Sequence, residues 1–416
     1  MQILVVGGAV RDSLMGRPVR DRDYVVVGAT PEQMLALGYR QVGEDFPVFL
    51  HPETREEYAL ARTQRSSAGA GGARIAQTTP NVTLEQDLGR RDLTINAMAM
   101  TESGEIVDPY GGQSDLAARV LRHVCDESFA EDPVRVLRLA RFAARYRDFT
   151  VAPETMAFVS SMVQAGKLGH LVAERVWQEL AKGLMEHQPS RMFQMMREMG
   201  VLKVLLPELD TLWGIPQPAD HHPEVDTGVH VMMVLDAAAA AGATLDVRFA
   251  ALMHDLGKGM TPSEHWPRHH DHERLGVPLV KAVCARLRVP TACRDLALIV
   301  CQEHTLVHGV ARLQAATIVR LLSRMGALRR RERLDAVLLA CECDARGRLG
   351  FEHQAYPQAD RLRAALAAIG QVNAGDLARA CKSPMQIAER LHAARVNAVK
   401  RGYTRREVAP PSYDEV

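Results

Sequence analysis

The chain has 416 residues, 47% of them apolar and 24% charged, and lysine and arginine outnumber the acids by only 51 to 50. This is the composition of a globular protein with a real core, long enough for roughly three domains at about 150 residues each. It excludes a polyanion held by bulk charge; such a partner needs a local basic face.

Gln2 to Val6 and Asp23 to Val27 are β-branched runs that predict strands, and Phe46 to Leu50 with Glu57 to Ala61 flank the turn HPETRE as a hairpin. Residues 66 to 80, SSAGAGGARIAQTTP, are small and glycine-rich and predict a mobile loop. From about 131 the periodicity turns helical: EDPVRVLRLARFAARY carries Pro133 in its first turn and apolar residues at helical spacing. Helices predominate beyond it, a proline-broken stretch (206 to 223) separates two helical regions, and a frayed tail is expected past about 403. The division expected is an α/β head with a small mixed sheet at 1–125 and an all-α neck at 126–225. A second helical domain at 228–329 and a helical C-terminal region at 330–416 follow. The seven cysteines are scattered without a C-x-x-C pair, which predicts reduced thiols and a cytoplasmic location. No basic and apolar leader opens the chain and no apolar run reaches about 18 residues, so neither a signal peptide nor a membrane span is expected.

Two groups of residues carry chemistry. In VVGGAVRDSLMGRPVRDRDYVV (5 to 26), Asp21 and Asp23 project from one face of an extended segment, about 6–7 Å apart at the backbone. Hard carboxylates converging there suit Mg²⁺, which takes one or two of them and fills its shell with water and phosphate. Two such ions activate an attacking hydroxyl and stabilise a leaving pyrophosphate. The Gly7-Gly8 turn lets backbone N–H groups approach a triphosphate, and Arg11 offers a charge-assisted fork to its oxygens. A bare D-x-D is more often a solvated turn; the adjoining Gly-Gly-x-x-Arg turn decides for the metal. In RRDLTINAMAM (90 to 100), Arg91 can clamp phosphate and Asp92 can accept from a ribose hydroxyl, although a charged cap before a core helix explains them equally well. In EDPVRVLRLAR, Asp132, Arg135 and Arg138 fall at i, i+3 and i+6 along one helix stripe. A carboxylate there accepts from the exocyclic amine of cytosine or adenine while an arginine donates to the neighbouring ring acceptor; uracil presents an oxygen instead. As a lone pattern, the same stripe is more often a surface salt bridge.

The second group lies further on. DTGVHVMMVLD (226 to 236) and VRFAALMHDLGKG (247 to 259) place His230 on one helix and the His254-Asp255 doublet at the end of another. Imidazoles and a carboxylate suit nickel, cobalt, manganese or zinc over magnesium, and such a metal lowers the pKa of bound water for attack on phosphorus. EHWPRHHDHERLG adds His265, His269, His270 and His272 as candidates for substrate phosphate or a second metal.

GGAVRD, DRDYVVVG, RRDLTINAMA, DPYGGQSDL and EDPVRVLRLARFAARY stand in an order and spacing that resemble the class II tRNA nucleotidyltransferase superfamily, the bacterial CCA-adding enzymes and their poly(A) polymerase relatives. The resemblance implies a nucleotidyltransferase head in which Asp21 and Asp23 hold catalytic Mg²⁺. It also implies that Gly8, Arg11, Arg91, Arg135 and Arg138 contact the nucleotide, that Asp132 and Arg135 form an amino-acid template reading C and A, and that the loop around 66 to 85 reshapes the pocket. The His-Asp doublet with its upstream histidine resembles the HD phosphohydrolase superfamily, which implies a metal held by His230, His254 and Asp255 and completed by a distal aspartate. Thr305, in QEHTLVH (302 to 308), stands where that aspartate is expected, leaving His304, His308 and Asp344 as substitutes. The combined order implies addition of C, C and A to tRNA 3′ ends from CTP and ATP. For the HD domain it implies 2′,3′-cyclic phosphodiesterase, 2′-nucleotidase and phosphatase activities, with Ni²⁺ among the candidate metals. The implied partners are tRNA, CTP and ATP, with no DNA and no membrane; the oligomeric state, monomer or homodimer, stays open. Two rival readings use the same residues: a poly(A) polymerase on this scaffold, and an HD nucleotide phosphohydrolase whose N-terminal half only binds nucleotide.

Overall fold

The computed structural model describes residues 1–19, 21–42, 48–63, 65–66, 75–76 and 79–404. The chain divides into two compact units, one of Met1–Leu171 with Glu198–Val201, the other of Val172–Arg197 with Leu202–Val416.

In the first unit the two expected strands, β1 (Gln2–Val6) and β2 (Asp23–Val27), lie inside a mixed seven-stranded sheet. With β3 (Arg40–Val42), β4 (Val48–Leu50), β5 (Glu57–Leu60), β6 (Ala99–Met100) and β7 (Ile106–Val107), the order is β3-β4-β5-β2-β1-β6-β7. The pair β2–β5 is parallel and the others antiparallel. Alternate residues of the central strands enter different cores: Leu4, Val6 and Val25 pack with Leu88 and Ala97, whereas Val26 packs with Met34, Phe49 and Leu60. Burial on both faces explains why these strands read as unbroken apolar runs. The register sets Val6 opposite Asp23, which brings the Gly7-Gly8 turn at the end of β1 next to the second carboxylate of the D-x-D pair. The hairpin expected across HPETRE is β4 with β5. Phe46 and most of the glycine-rich loop lie outside the described residues; within it Arg65–Ser66 pairs with Ile75–Ala76.

The helix expected from residue 131 is interrupted. The helix α2 (Asp126–Glu131) ends at Asp132, and α3 (Arg135–Arg145) begins three residues later. Pro133 is the cause: its ring disfavours the α conformation in the residue before it, and Asp132 is extended at φ −133°, ψ 85°. Asp132 therefore does not share a helix stripe with Arg135 and Arg138.

The second unit is helical. A buried helix, α5 (Leu245–Met253), packs against α4 (Thr227–Ala240), α7 (Thr291–His308) and α8 (Arg331–Arg346), while α6 (His272–Arg286) packs on α7. Seven consecutive buried residues, Val247 to Met253, mark α5 as a core helix with no solvent face. Asp226 caps α4, its carboxylate accepting from the Val229 N–H at 2.9 Å. Two further helices, α9 (Pro357–Gly370) and α10 (Pro384–Thr404), pack together; the expected tail past 404 lies outside the described residues. No helix among the described residues is long and apolar enough to cross a membrane.

Candidate active sites

In the first unit, β1 runs into a turn at Gly7 with φ 71° and ψ −128°, and helix α1 (Gly8–Leu14) follows. That φ favours glycine, and a Cβ on Gly7 would lie 2.6 Å from Arg91 Nη1. A Cβ on Gly8 would meet Arg11 Nη2 at 3.4 Å. Two guanidinium groups thus lie against a bare backbone turn. Arg11 is held from behind: its Nη1 donates to Asn96 Oδ1 and its Nε to Asp12 Oδ1. Asn96 Nδ2 in turn donates to Asp92 Oδ1 at 2.9 Å, and Arg138 Nε donates to Asp92 Oδ2 at 2.7 Å. Burial works to raise the Asp92 pKa, but the Arg138 charge, with hydrogen bonds from Asn96, Arg138 and the Leu93 N–H, brings it down to about 2. Both oxygens of this buried carboxylate are occupied inside the protein, so Asp92 supports Arg138 instead of facing outward to a ribose. Arg135 also turns inward, its Nη1 donating to the carbonyls of Ser128 (2.5 Å) and Arg91 (3.4 Å). Asp132 offers its carbonyl to the Arg135 N–H at 2.9 Å.

Asp21 and Asp23 are exposed, and among the described residues neither carboxylate forms a hydrogen bond or an ion pair. Arg91 Nε is buried without a hydrogen-bond partner. Open carboxylates next to a turn lined by arginines, one of them with an unsatisfied donor, match the donor set for Mg²⁺ bound together with phosphate. The residue that sequence reasoning missed is Asn96, which joins Arg11 to Asp92; the signal was an amide within an apolar run, where burial demands partners.

In the second unit four imidazoles turn Nε2 toward one another, and in three of them a backbone carbonyl anchors Nδ1. His254 Nδ1 donates to the Ala251 carbonyl (2.7 Å), His272 Nδ1 to that of His269 (2.8 Å) and His304 Nδ1 to that of Val300 (3.0 Å). His230 Nδ1 stands 3.0 Å from Glu224 Oε1. The Nε2 atoms converge on two carboxylates. His230 Nε2 is 3.1 Å from Asp344 Oδ1, and His254 Nε2 is 3.1 Å from Asp255 Oδ2 and 3.8 Å from Asp344 Oδ2. The other oxygen, Asp255 Oδ1, faces His272 Nε2 at 3.4 Å and His304 Nε2 at 3.6 Å. Asp255 thereby joins two adjacent ligand groups, His230/His254/Asp344 and Asp255/His272/His304. Gly257 makes this possible: a Cβ there would run into the His272 carbonyl and the Gly276 nitrogen, so the His-Asp turn presses directly on α6.

His254 Nε2 and Asp255 Oδ1 are buried without hydrogen-bond partners. Burial opposes ionisation of both carboxyls, yet the His254 charge beside each, with Lys258 at Asp255 and His308 at Asp344, holds them well below the usual range. Imidazole nitrogens and carboxylate oxygens that converge in this way, one of each without a hydrogen-bond partner, fit a divalent transition metal. Lys258 is buried, its Nζ 2.6 Å from Asp255 Oδ2 and 2.5 Å from Gln217 Oε1.

Thr305 is exposed and hydrogen-bonds Glu273, outside both ligand groups. The carboxylate that lies with His230 and His254 is Asp344, carried on α8 past the residue 329 at which this domain was expected to end. His308 supports it: His308 Nε2 lies 2.7 Å from Asp344 Oδ2, and Tyr356 Oη lies 3.0 Å from His308 Nδ1. Of the four histidines in EHWPRHHDHERLG, His272 alone enters a ligand group. His269 bonds Thr261 Oγ1 and the Pro216 carbonyl, and His265 and His270 are exposed.

A glycine turn overlain by arginines and a buried histidine-carboxylate cluster on one chain are the features of an enzyme class that handles nucleotides and phosphate esters with divalent metals. The chain matches the family model described as the Poly A polymerase head domain over residues 3–122. Residues 148–212 match that described as Probable RNA and SrmB- binding site of polymerase A, and residues 227–347 match the HD domain. It is 62% identical to the multifunctional CCA protein of Cupriavidus taiwanensis, over 96% of this chain and 98% of that one. To the multifunctional CCA protein of Acidovorax sp. it is 60% identical over 96% of each. The CCA-adding enzyme of Thermotoga maritima, solved in complex with tRNA, shares the fold with a TM-score of 0.61 at 20% identity, over 97% of this chain and 91% of that one. The chain belongs to the multifunctional CCA protein family.

Two predictions follow from these geometries. The folded pKa of Asp92, about 2, lies below the 3.8 usual for an aspartate, so its pairing contributes stability above about pH 4 and loses it as the pH falls toward 2. At about 1.4 kcal/mol per unit, roughly 2 kcal/mol of head stability disappears in that window, and Asp92→Asn should remove this acid sensitivity from urea unfolding curves. In the other unit, Asp344→Ala should abolish divalent-metal binding in equilibrium dialysis and His308→Ala should weaken it by about 10–100-fold, whereas Thr305→Ala should leave it unchanged.

Proposed function

We propose that this protein adds C, C and A in turn to the 3′ end of tRNA, using CTP and ATP and releasing pyrophosphate. We also propose that its HD centre hydrolyses 2′,3′-cyclic phosphates, 2′-nucleotides and other phosphate esters. The observation that carries the first part is the glycine turn overlain by Arg11 and Arg91 next to two unpaired carboxylates; the CCA-adding activity named for its relatives agrees with it. The unpaired acceptors between Asp255 and the inward-facing imidazoles carry the second. All seven cysteines are free, which fits a reducing cytoplasm.

Asp21 and Asp23 would hold Mg²⁺, which would supply charge neutralisation to the attacking 3′-hydroxyl and the departing pyrophosphate. Gly7 and Gly8 leave the backbone clear for the triphosphate, with Gly8 in contact with the nucleotide. Arg11 and Arg91 grip the phosphate oxygens, and because Asn96 already fixes Arg11, little reorganisation accompanies binding. Arg138, braced by Asp92, faces the nucleotide, while Asp132 and Arg135 read the base edge. For that reading Arg135 exchanges its bond to the Ser128 carbonyl for the base, and the extended conformation before Pro133 leaves the Asp132 carboxylate outside the helix. An amine on the base satisfies Asp132, whereas the uracil oxygen would face a carboxylate with no donor.

In the HD unit His230, His254, Asp255 and Asp344 would hold a transition-metal ion, and Asp255, His272 and His304 could take another. Such an ion, Ni²⁺ among the candidates, would supply a bound water of lowered pKa. Lys258 keeps the shared Asp255 carboxylate ionised and oriented, and the anchored Nδ1 atoms of His254, His272 and His304 keep their Nε2 available.

The two chemistries should separate by mutation. Asp21→Asn should abolish incorporation of CMP and AMP into tRNA lacking its CCA end while leaving phosphate release from a 2′-nucleotide intact, and Asp255→Asn should do the reverse. A folded variant of either kind that lost both activities would overturn the two-centre reading. Three additions followed by arrest support CCA synthesis; a long adenylate tail would point to a poly(A) polymerase.

A further inference from the structure

Five guanidinium groups gather around two aromatic rings in the head unit. Phe142 and Tyr146 stack parallel at 6.0 Å, and Arg11 lies 5.4 Å from each ring centroid. Arg138 and Arg141 lie 6.0 and 4.7 Å from Phe142, and Arg17 and Arg145 lie 4.9 and 5.7 Å from Tyr146. Stacking on a ring fixes the guanidinium plane and so presents its donor fork in a set orientation, the arrangement that matches phosphate oxygens.

The group grades from inside to outside. Arg11 is 4% exposed and belongs to the glycine turn, whereas Arg17 and Arg145 are exposed. One carboxylate serves several of these groups: Asp12 Oδ1 faces Arg11 and Tyr146 Oη, and its Oδ2 stands 3.6 Å from Arg145. Arg17 lies four residues before Asp21 on the connection that leads to the D-x-D pair, folded back so that its N–H bonds the Asp12 carbonyl at 2.8 Å. Cations are therefore continuous from the triphosphate cradle to the surface. A hydroxyl that attacks at the cradle brings its own phosphodiester chain with it, and guanidinium planes also offer stacking faces to unpaired bases.

We propose that Arg17 and Arg145 hold the backbone phosphates of the single-stranded 3′ end of the RNA acceptor and lead it to the glycine turn. The proposal rests on the reading of the head as a CCA-adding site and adds to it a primer-binding surface.

The test uses the full chain, a tRNA lacking its CCA end, and fluorescence anisotropy without nucleotide over a range of KCl concentrations. Arg17→Gln with Arg145→Gln should make the slope of log affinity against log salt shallower by about two, roughly one per lost contact. The KM for tRNA should rise, with the KM for CTP and the turnover at saturating tRNA unchanged. Arg17→Lys with Arg145→Lys should restore most of the slope, because charge is retained. If the glutamine pair lowers the melting temperature, Arg17→Glu alone decides, since Arg17 is exposed: its slope should fall by about one. An active protein whose glutamine pair, or Arg17→Glu, binds RNA with the wild-type slope would overturn the surface alone. A wild-type protein that shows the arginine-dependent slope yet adds no nucleotide would keep the surface and overturn the transferase reading.

Discussion

A carboxylate withdrawn from water must be surrounded by positive charge and hydrogen-bond donors, and this requirement organises both units of the protein. Asp255 is 1% exposed and stands within 4.0 Å of four histidines and a buried lysine, so each of its oxygens draws a different set of side chains inward. The helices of the second unit are arranged to deliver those partners to one point. Asp92 does the same in the head on a smaller scale: it takes Arg138 on one oxygen and Asn96 on the other, and Asn96 extends the chain of contacts to Arg11. In both units the buried acid faces the side chains of the candidate site, so the interactions that stabilise the fold also orient those groups.

Close backbone approach is the second constraint. Gly7 admits the Arg91 guanidinium to the turn after β1, and Gly257 admits the backbone of α6 to the turn after His254-Asp255. A methyl group at either place would separate the elements whose meeting makes the site. The glycines act here by what they leave empty.

The head was legible in the sequence to the extent that its features are local. The strands β1 and β2, the glycine turn and the D-x-D pair are all set within the first 27 residues, where periodicity and turn chemistry speak directly. The helix across Asp132 was misread because apolar spacing outweighed the steric demand of Pro133 on the residue before it. The inward turn of Arg135 and Asp92 was not legible, because it depends on Ser128 and Asn96, partners that only tertiary packing supplies. In the HD unit the doublet and His230 stood out, but the choice among clustered histidines turned on which nitrogen could be anchored by a backbone carbonyl, as His272 is by His269. Thr305 drew attention by its position after a histidine. Asp344, with no histidine before it in CECDARGR, is placed by the packing of α8 against α4 and α5.

That placement bears on the order in which the protein is made. His230 and Asp344 are 114 residues apart, and the acid is the last to leave the ribosome. Every component of the glycine-turn network, through Arg138, has emerged long before. A nascent chain therefore holds every residue of its glycine-turn network while the histidine cluster still lacks the Asp344 carboxylate, and that cluster closes only once α8 has emerged.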